Sequence, residues 1–244
     1  MKEFLMNAIC LNNLSIRYGN RCILHNISHC FAAAQWHLIL GRSGMGKSTL
    51  LHAIADLLPH NADISGSITT AAGDALQGKI AYMAQHNDLL PWLSLQENVL
   101  LGARLQGKAK DYPRAAALLA ACGLEEYAAA KPRQLSGGQI QRAALARTLM
   151  QDRPYVLMDE PFSALDAITR YELQNLALQR LSGKTVIMIS HDPTEALRLA
   201  NSLHILTPAA LQPVALPDSR TPRALDTQGL AQLQEQLIQQ LRHA

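Results

Sequence analysis

The chain has 244 residues, 48% hydrophobic and 17% charged, and a formal net charge of +3. This suits one large domain, or a core with an added lobe, and leaves ample material for a buried interior. The basic residues are scattered, so no nucleic-acid tract is expected, and no apolar run approaches the roughly 18 residues that a membrane-spanning helix needs.

The start, Met1-Lys2-Glu3-Phe4-Leu5-Met6-Asn7, has an early acid and no long apolar stretch, unlike a secretory signal, so any membrane role is expected to be peripheral. Short β-like segments follow at residues 8–11, 14–18 and 27–31, with a Gly19-Asn20 turn among them. Trp36-His37-Leu38-Ile39-Leu40 reads as a buried strand, and residues 49–55 as the first turns of a helix. Residues 64–70 and 79–83 suggest further strands. Between about 85 and 153 the texture becomes Ala- and Leu-rich at helical spacing, with Gly123 ending the run 112–122. Residues 155–158 and 185–189 are continuous apolar runs, as parallel strands covered on both faces should be. The last segment, 229–244, sets Leu230, Leu233, Leu237 and Leu241 on one helical face, expected to pack on the protein's own core. The whole reads as an α/β core interrupted by a helical insertion. Cys10, Cys22, Cys30 and Cys122 include no C-x-x-C pair and are expected to be buried free thiols in a reducing, cytoplasmic setting.

Three constellations carry chemistry. Gly41-Arg42-Ser43-Gly44-Met45-Gly46-Lys47-Ser48 fits G-x-x-x-x-G-K-[ST] and lies between a strand and a helix that starts at Thr49, where a phosphate-binding loop belongs. Its glycines let backbone N–H groups wrap a polyphosphate at a helix N-terminus, Lys47 suits the β- and γ-phosphates, and Ser48 suits Mg²⁺. Tyr155-Val156-Leu157-Met158-Asp159-Glu160 ends a strand in two acids. Asp159 suits Mg²⁺ and Glu160 suits activation of an attacking water. Leu135-Ser136-Gly137-Gly138-Gln139 opens a helix, with Ser136 as N-cap and the glycines clearing N–H groups for an anion. One domain needs one phosphate loop, so this second anion-binding start suggests the γ-phosphate of a neighbouring subunit.

With these residues in hand, the chain resembles the ATP-binding subunits of ABC transporters from Leu11 to about Leu206. The motifs run in family order: the phosphate loop, Gln85, Leu135-Ser136-Gly137-Gly138-Gln139, Asp159-Glu160 with Pro161, Ser163-Ala164-Leu165-Asp166, and Ser190-His191-Asp192. The resemblance implies a P-loop NTPase core with a mixed, mainly parallel sheet, an N-terminal antiparallel β subdomain and an inserted α-helical subdomain. It places an ATP-binding domain at 1–225 (core 1–84 and 155–225, helical subdomain 85–154) and a C-terminal helix at 226–244. It implies that Tyr18 stacks on adenine and that Gln85 touches Mg²⁺ and water. Asp166 would lie at a dimer seam, and His191 would contact the γ-phosphate and hold Glu160. Catalysis would fall to Lys47, Gln85, Glu160 and His191, and Mg²⁺ to Ser48, Gln85 and Asp159. ATP would be held by Tyr18, residues 41–49 and, from the other subunit, Ser136, Gly137, Gly138 and Gln139. The implied partners are a second copy, two transmembrane permease subunits and, indirectly, a periplasmic or lipoprotein solute-binding protein, all without nucleic acid. The implied place is the cytoplasmic face of the inner membrane.

Leu89-Leu90-Pro91-Trp92-Leu93 is similar in wording to importers of nitrate, taurine, aliphatic sulfonates and thiamine pyrimidine precursors, the last branch most of all. The Leu90–Trp92 stretch either receives a permease helix or packs in the core. His86-Asn87-Asp88 departs from the usual Glu or Pro after the glutamine, and the long regulatory extension of some sugar and metal importers is lacking. A soluble ABC-type ATPase, such as one for iron–sulfur assembly, is the competing class.

Overall fold

The computed structural model describes residues 7–85, 89–224 and 226–243. The readings made at Met1–Met6, His86-Asn87-Asp88 and Leu225 lie outside these residues.

Two sheets and a set of helices make up the described chain. Strands β1 (Ile9–Tyr18), β2 (Arg21–Phe31) and β4 (Ala62–Thr70) form an antiparallel sheet in the order β2-β1-β4. The larger sheet joins β5 (Ile80–Met83), β6 (Tyr155–Asp159), β7 (Thr185–Ile189), β3 (Trp36–Leu40), β8 (Ser202–Thr207) and β9 (Ala210–Val214), in that order. Its first five strands run parallel, and β9 pairs antiparallel with β8 at the edge. Helices α1 (Lys47–Ile54), α2 (Leu95–Val99), α3 (Leu101–Leu105), α4 (Tyr112–Ala121), α5 (Gly137–Met150), α6 (Ala167–Arg180), α7 (Pro193–Leu199) and α8 (Leu230–His243) complete it. The fold is an α/β cassette with an antiparallel β subdomain and a helical insertion, as the resemblance implied.

The continuous apolar strands are explained by burial on two sides. Leu38, Leu40, Val156, Met158, Val186 and Met188 point to one core, shared with the helical insertion and α6 to α8. Their neighbours Ile39, Tyr155, Leu157, Ile187 and Ile189 point to a second, shared with α1 and the antiparallel sheet. A period of two thus feeds both faces from one strand, and each position must be apolar. Leu230 and Leu237 of α8 are buried in the first core, and Leu233 and Leu241 pack against it, so the terminal helix covers its own domain.

One expectation is corrected. Cys10 and Cys30 are cross-strand partners in the β1–β2 ladder, their Cα atoms 4.1 Å apart, and they form a disulfide. Strand register, invisible in their spacing, brings them together. Cys22 is exposed, and only Cys122 is a buried thiol, which burial pushes up to about 12. The cysteine pattern therefore loses its force as an argument for a reducing compartment.

Candidate active site

The loop between β3 and α1 is built around two glycines and a lysine. Gly46 sits at φ +88°, and a Cβ there would lie 2.7 Å from Cγ2 of Ile23 and 3.1 Å from Cδ2 of Leu24. Only glycine adopts that backbone and admits that contact without strain. Lys47 is buried, and its Nζ donates to the carbonyls of Gly41 at 2.6 Å and Arg42 at 3.0 Å. Burial holds its pKa below the usual lysine value, while Glu160 and Asp159 pull it back up. The ammonium is thus parked at the loop's own backbone, on a stem that can redirect to an arriving phosphate.

The carboxyl ends of four neighbouring strands meet this loop. β5 leads to Gln85, β6 ends in Asp159 and Glu160, β7 leads to Ser190 and His191, and β3 feeds the loop itself. A cleft of about 470 Å³ is lined by Ser43, Gly44, Gly46, Lys47, Ser48, Thr49, Gln85 and Glu160, with Arg21 and Ile23 from the β subdomain. Such crevices at strand carboxyl ends are where open α/β sheets bind ligands. Burial raises the pKa of Asp159, and a hydrogen bond with Ser48 opposes the shift. That hydroxyl, the carboxylate and the Gln85 amide supply oxygen donors suited to a hard divalent cation.

Glu160 is held by every side of its residue. Its Oε2 lies 3.1 Å from Nδ1 of His191 and accepts from Nε2 of Gln85 at 3.3 Å. Its own N–H donates to Ile189 O at 3.0 Å, and its carbonyl accepts from Nε2 of Gln141 at 3.0 Å and Oγ of Ser163 at 3.1 Å. The backbone is at φ +49°, a left-handed conformation that a non-glycine residue keeps only when its surroundings fix it. The carboxylate faces the cleft flanked by an amide and an imidazole, an arrangement suited to orienting a water and taking its proton.

The remaining expected residues divide. Gly41, Arg42 and Met45 shape the loop without lining the cleft, and the first two lend their carbonyls to Lys47. Tyr18 closes the β1–β2 hairpin opposite Arg21 and is likewise not a lining residue. Ser136 caps α5 through a reciprocal box: its Oγ accepts from Gln139 N at 3.2 Å, and its N–H donates to Oε1 of Gln139 at 2.8 Å. Ser136 and Gly137 are exposed, and none of residues 136–139 reaches the cleft of its own chain. Asp166 caps α6, accepting from Ile168 and Thr169 N–H groups. Trp92 is 66% exposed, which leaves its ring free, while Leu89 packs on the core. Sequence reasoning missed Arg21 and Ile23, although a hairpin turn at Gly19-Asn20 already places the next strand beside the loop. It also missed Gln141, a buried glutamine that ties the helix begun at Ser136 to the backbone of Glu160.

Fold and site together define a class: a P-loop ATPase whose acids, glutamine and histidine stand on adjacent strand ends. The pattern of the family described as "ABC transporter" matches residues 24–163. An "uncharacterized ABC transporter ATP-binding protein" of Haemophilus influenzae is 39% identical over 238 residues, 95% of this chain and 97% of its own length. The "aliphatic sulfonates import ATP-binding protein SsuB" of Shigella flexneri is 39% identical over 236 residues, 96% of this chain and 90% of its own. Among solved structures, a dimeric post-hydrolysis state of the ATP-binding cassette MJ0796 bound to ADP and Pi superposes with a TM-score of 0.73. It is 29% identical and covers 89% of this chain and 100% of its own. The chain belongs to the ABC transporter family, as an ATP-binding subunit with ATPase activity.

Proposed function

We propose that this chain energises import of a small solute, hydrolysing ATP held between two copies bound beneath two membrane-spanning permease subunits. The observation that carries it is the convergence of Gln85 and His191 on Glu160 at the mouth of the phosphate loop. Residues 41–49 and Lys47 hold the triphosphate, and Tyr18, beside the cleft-lining Arg21, meets the adenine. Ser48, Asp159 and Gln85 would hold Mg²⁺, which would neutralise phosphate charge when bound. Glu160 takes the proton of the attacking water, and His191 holds Glu160 and meets the γ-phosphate. Ser136, Gly137, Gly138 and Gln139 of the second copy close the site from above, since Ser136 and Gly137 lie exposed and none of the four lines its own cleft. The unit is the domain 1–225, with the helix beyond it packed alongside.

Docking on the cytoplasmic face of the inner membrane, beneath the permease subunits, fits the exposed ring of Trp92, seven residues after Gln85 in the chain. A solute-binding protein would deliver cargo. The SsuB relatives support aliphatic sulfonates as the cargo class. The wording of residues 83–105 favours a thiamine pyrimidine precursor as the second reading. The importer relatives weigh against the iron–sulfur assembly alternative. Replacing Ser136 with Ala tests the shared site: ATP hydrolysis should fall while the isolated subunit keeps its ATP affinity. Loss of affinity in the isolated subunit would mean that the segment acts within its own chain.

A further inference from the structure

Behind His191 lies a buried polar chain that the ATPase chemistry itself does not use. Arg198, on α7, donates through Nη1 to Oε1 of Gln174 at 2.6 Å and through Nη2 to Oδ1 of Asn175 at 2.6 Å, both on α6. Gln174 donates in turn through Nε2 to Oε1 of Glu195 at 2.8 Å. The other carboxylate oxygen, Oε2, accepts from Oγ of Ser190. Oγ of Ser190 accepts from the backbone N–H of Asp192 at 3.0 Å. Gln174, Ser190, Glu195 and Arg198 are all buried.

The direction of every bond is dictated from one end. Arginine can only donate, so the Gln174 carbonyl must face it and the amide must face Glu195. With its carboxylate ionised, Glu195 accepts on both oxygens, and Ser190 spends its proton on Glu195 and keeps a lone pair for Asp192. Ser190 and Asp192 are the residues bonded on either side of His191. We propose that Glu195 and Gln174 are positioning residues, whose polarised chain from Arg198 fixes the Ser190–Asp192 turn and with it the imidazole that meets Glu160. This rests on the catalytic reading of Glu160 and His191. Such a chain is costly to leave half satisfied and specifies one arrangement when complete.

The test exploits polarity, since packing alone is blind to it. Glu195→Gln is nearly isosteric but puts an NH₂ group where Ser190 now donates, so the hydroxyl must reverse and its proton loses this acceptor. Gln174→Glu sets two buried carboxylates face to face. Combining the two exchanges restores the order: the carboxylate placed at position 174 accepts from Arg198 and from the amide placed at position 195, whose carbonyl accepts from Ser190. Each single variant should lower kcat for ATP about ten- to a hundredfold, as misplacement of a reacting group does, with KM for ATP within about twofold. The double exchange should recover to within about threefold of the parent. Ser190→Ala, which removes one hydroxyl and leaves the helices intact, should show the same selective loss of kcat and serves if the single charge changes do not fold. Parental kcat in Glu195→Gln or Ser190→Ala, or a double exchange no better than the poorer single variant, would overturn the proposal. A parent protein that turns over no ATP would instead overturn the catalytic reading on which it rests.

Discussion

Replacing Gln141 with Leu should damage catalysis from a residue that no nucleotide touches. Gln141 is buried on α5 and makes three hydrogen bonds: to Glu160 O at 3.0 Å, to Oγ of Ser163 at 3.3 Å, and from Ala164 N at 2.8 Å. At about 1 kcal/mol net each, their loss costs about 3 kcal/mol. For a chain of this size that lowers Tm by roughly 6–12 °C. The second effect is local. Glu160 keeps its left-handed backbone against a preference of about 1–2 kcal/mol, and the Gln141 contact is one of the bonds that hold it. Releasing that preference thins the competent population about five- to thirtyfold, since 1–2 kcal/mol changes a ratio by that much. Thermal unfolding and steady-state ATP turnover, measured on the same preparation at a temperature well below both transitions, separate the two effects. A variant with the lowered Tm but undiminished kcat would refute the claim that Gln141 holds Glu160 in place.

Gly46→Ala should abolish tight ATP binding: the positive φ costs about 1–2 kcal/mol and the contact with Ile23 about 1–3 more. Titration with a fluorescent nucleotide checks this, and parental affinity would contradict it. The histidines at the interface of the two sheets should make the fold acid-sensitive. His29, His37 and His204 cluster around Phe31, and burial holds His37 and His204 down at about 4 and lowers His29. Unfolded, each takes up a proton below about 6.5, while in the fold His37 and His204 stay neutral to about 4. Their contribution is therefore complete above about pH 6.5 and disappears as pH falls towards 4. Denaturant unfolding at pH 7 and pH 5 should show the drop, and His204→Leu should flatten it; equal stability at both values would rule the mechanism out. Leu237→Ala, at a fully buried position of α8, should cost about 2–5 kcal/mol while kcat per folded molecule is unchanged. An unchanged unfolding midpoint would show that α8 does not contribute to the core.

The parts of the site that could be read from the sequence are those made by contiguous residues. The phosphate loop needs its glycines and lysine at fixed spacing, and a four-residue apolar run carries Asp159 and Glu160 to the carboxyl end of β6 without help from elsewhere. Two-faced burial likewise writes itself into 155–158 and 185–189 as unbroken apolar runs. What stayed hidden depends on partners far apart in the chain. Cys10 and Cys30 meet only because the β1–β2 register pairs them, and Arg21 and Ile23 reach the cleft only because the small sheet leans over the loop. Gln141, Gln174 and Glu195 look like ordinary helix-surface residues, and only helix packing turns them inward. The exposure of Trp92 was open in the sequence because an apolar cluster after a glutamine suits either a core or a docking surface.

Whether ATP is held by one copy or between two can be measured directly. In Glu160→Gln the phosphate loop and the Ser136 segment are untouched, so ATP should be kept, unhydrolysed, between two chains. Light scattering coupled to size exclusion, with ATP and Mg²⁺ in the running buffer, should then give twice the mass of one chain, reverting to the single mass when nucleotide is removed. A Glu160→Gln protein that carries bound ATP and still elutes at the mass of one chain would contradict a site built by two copies.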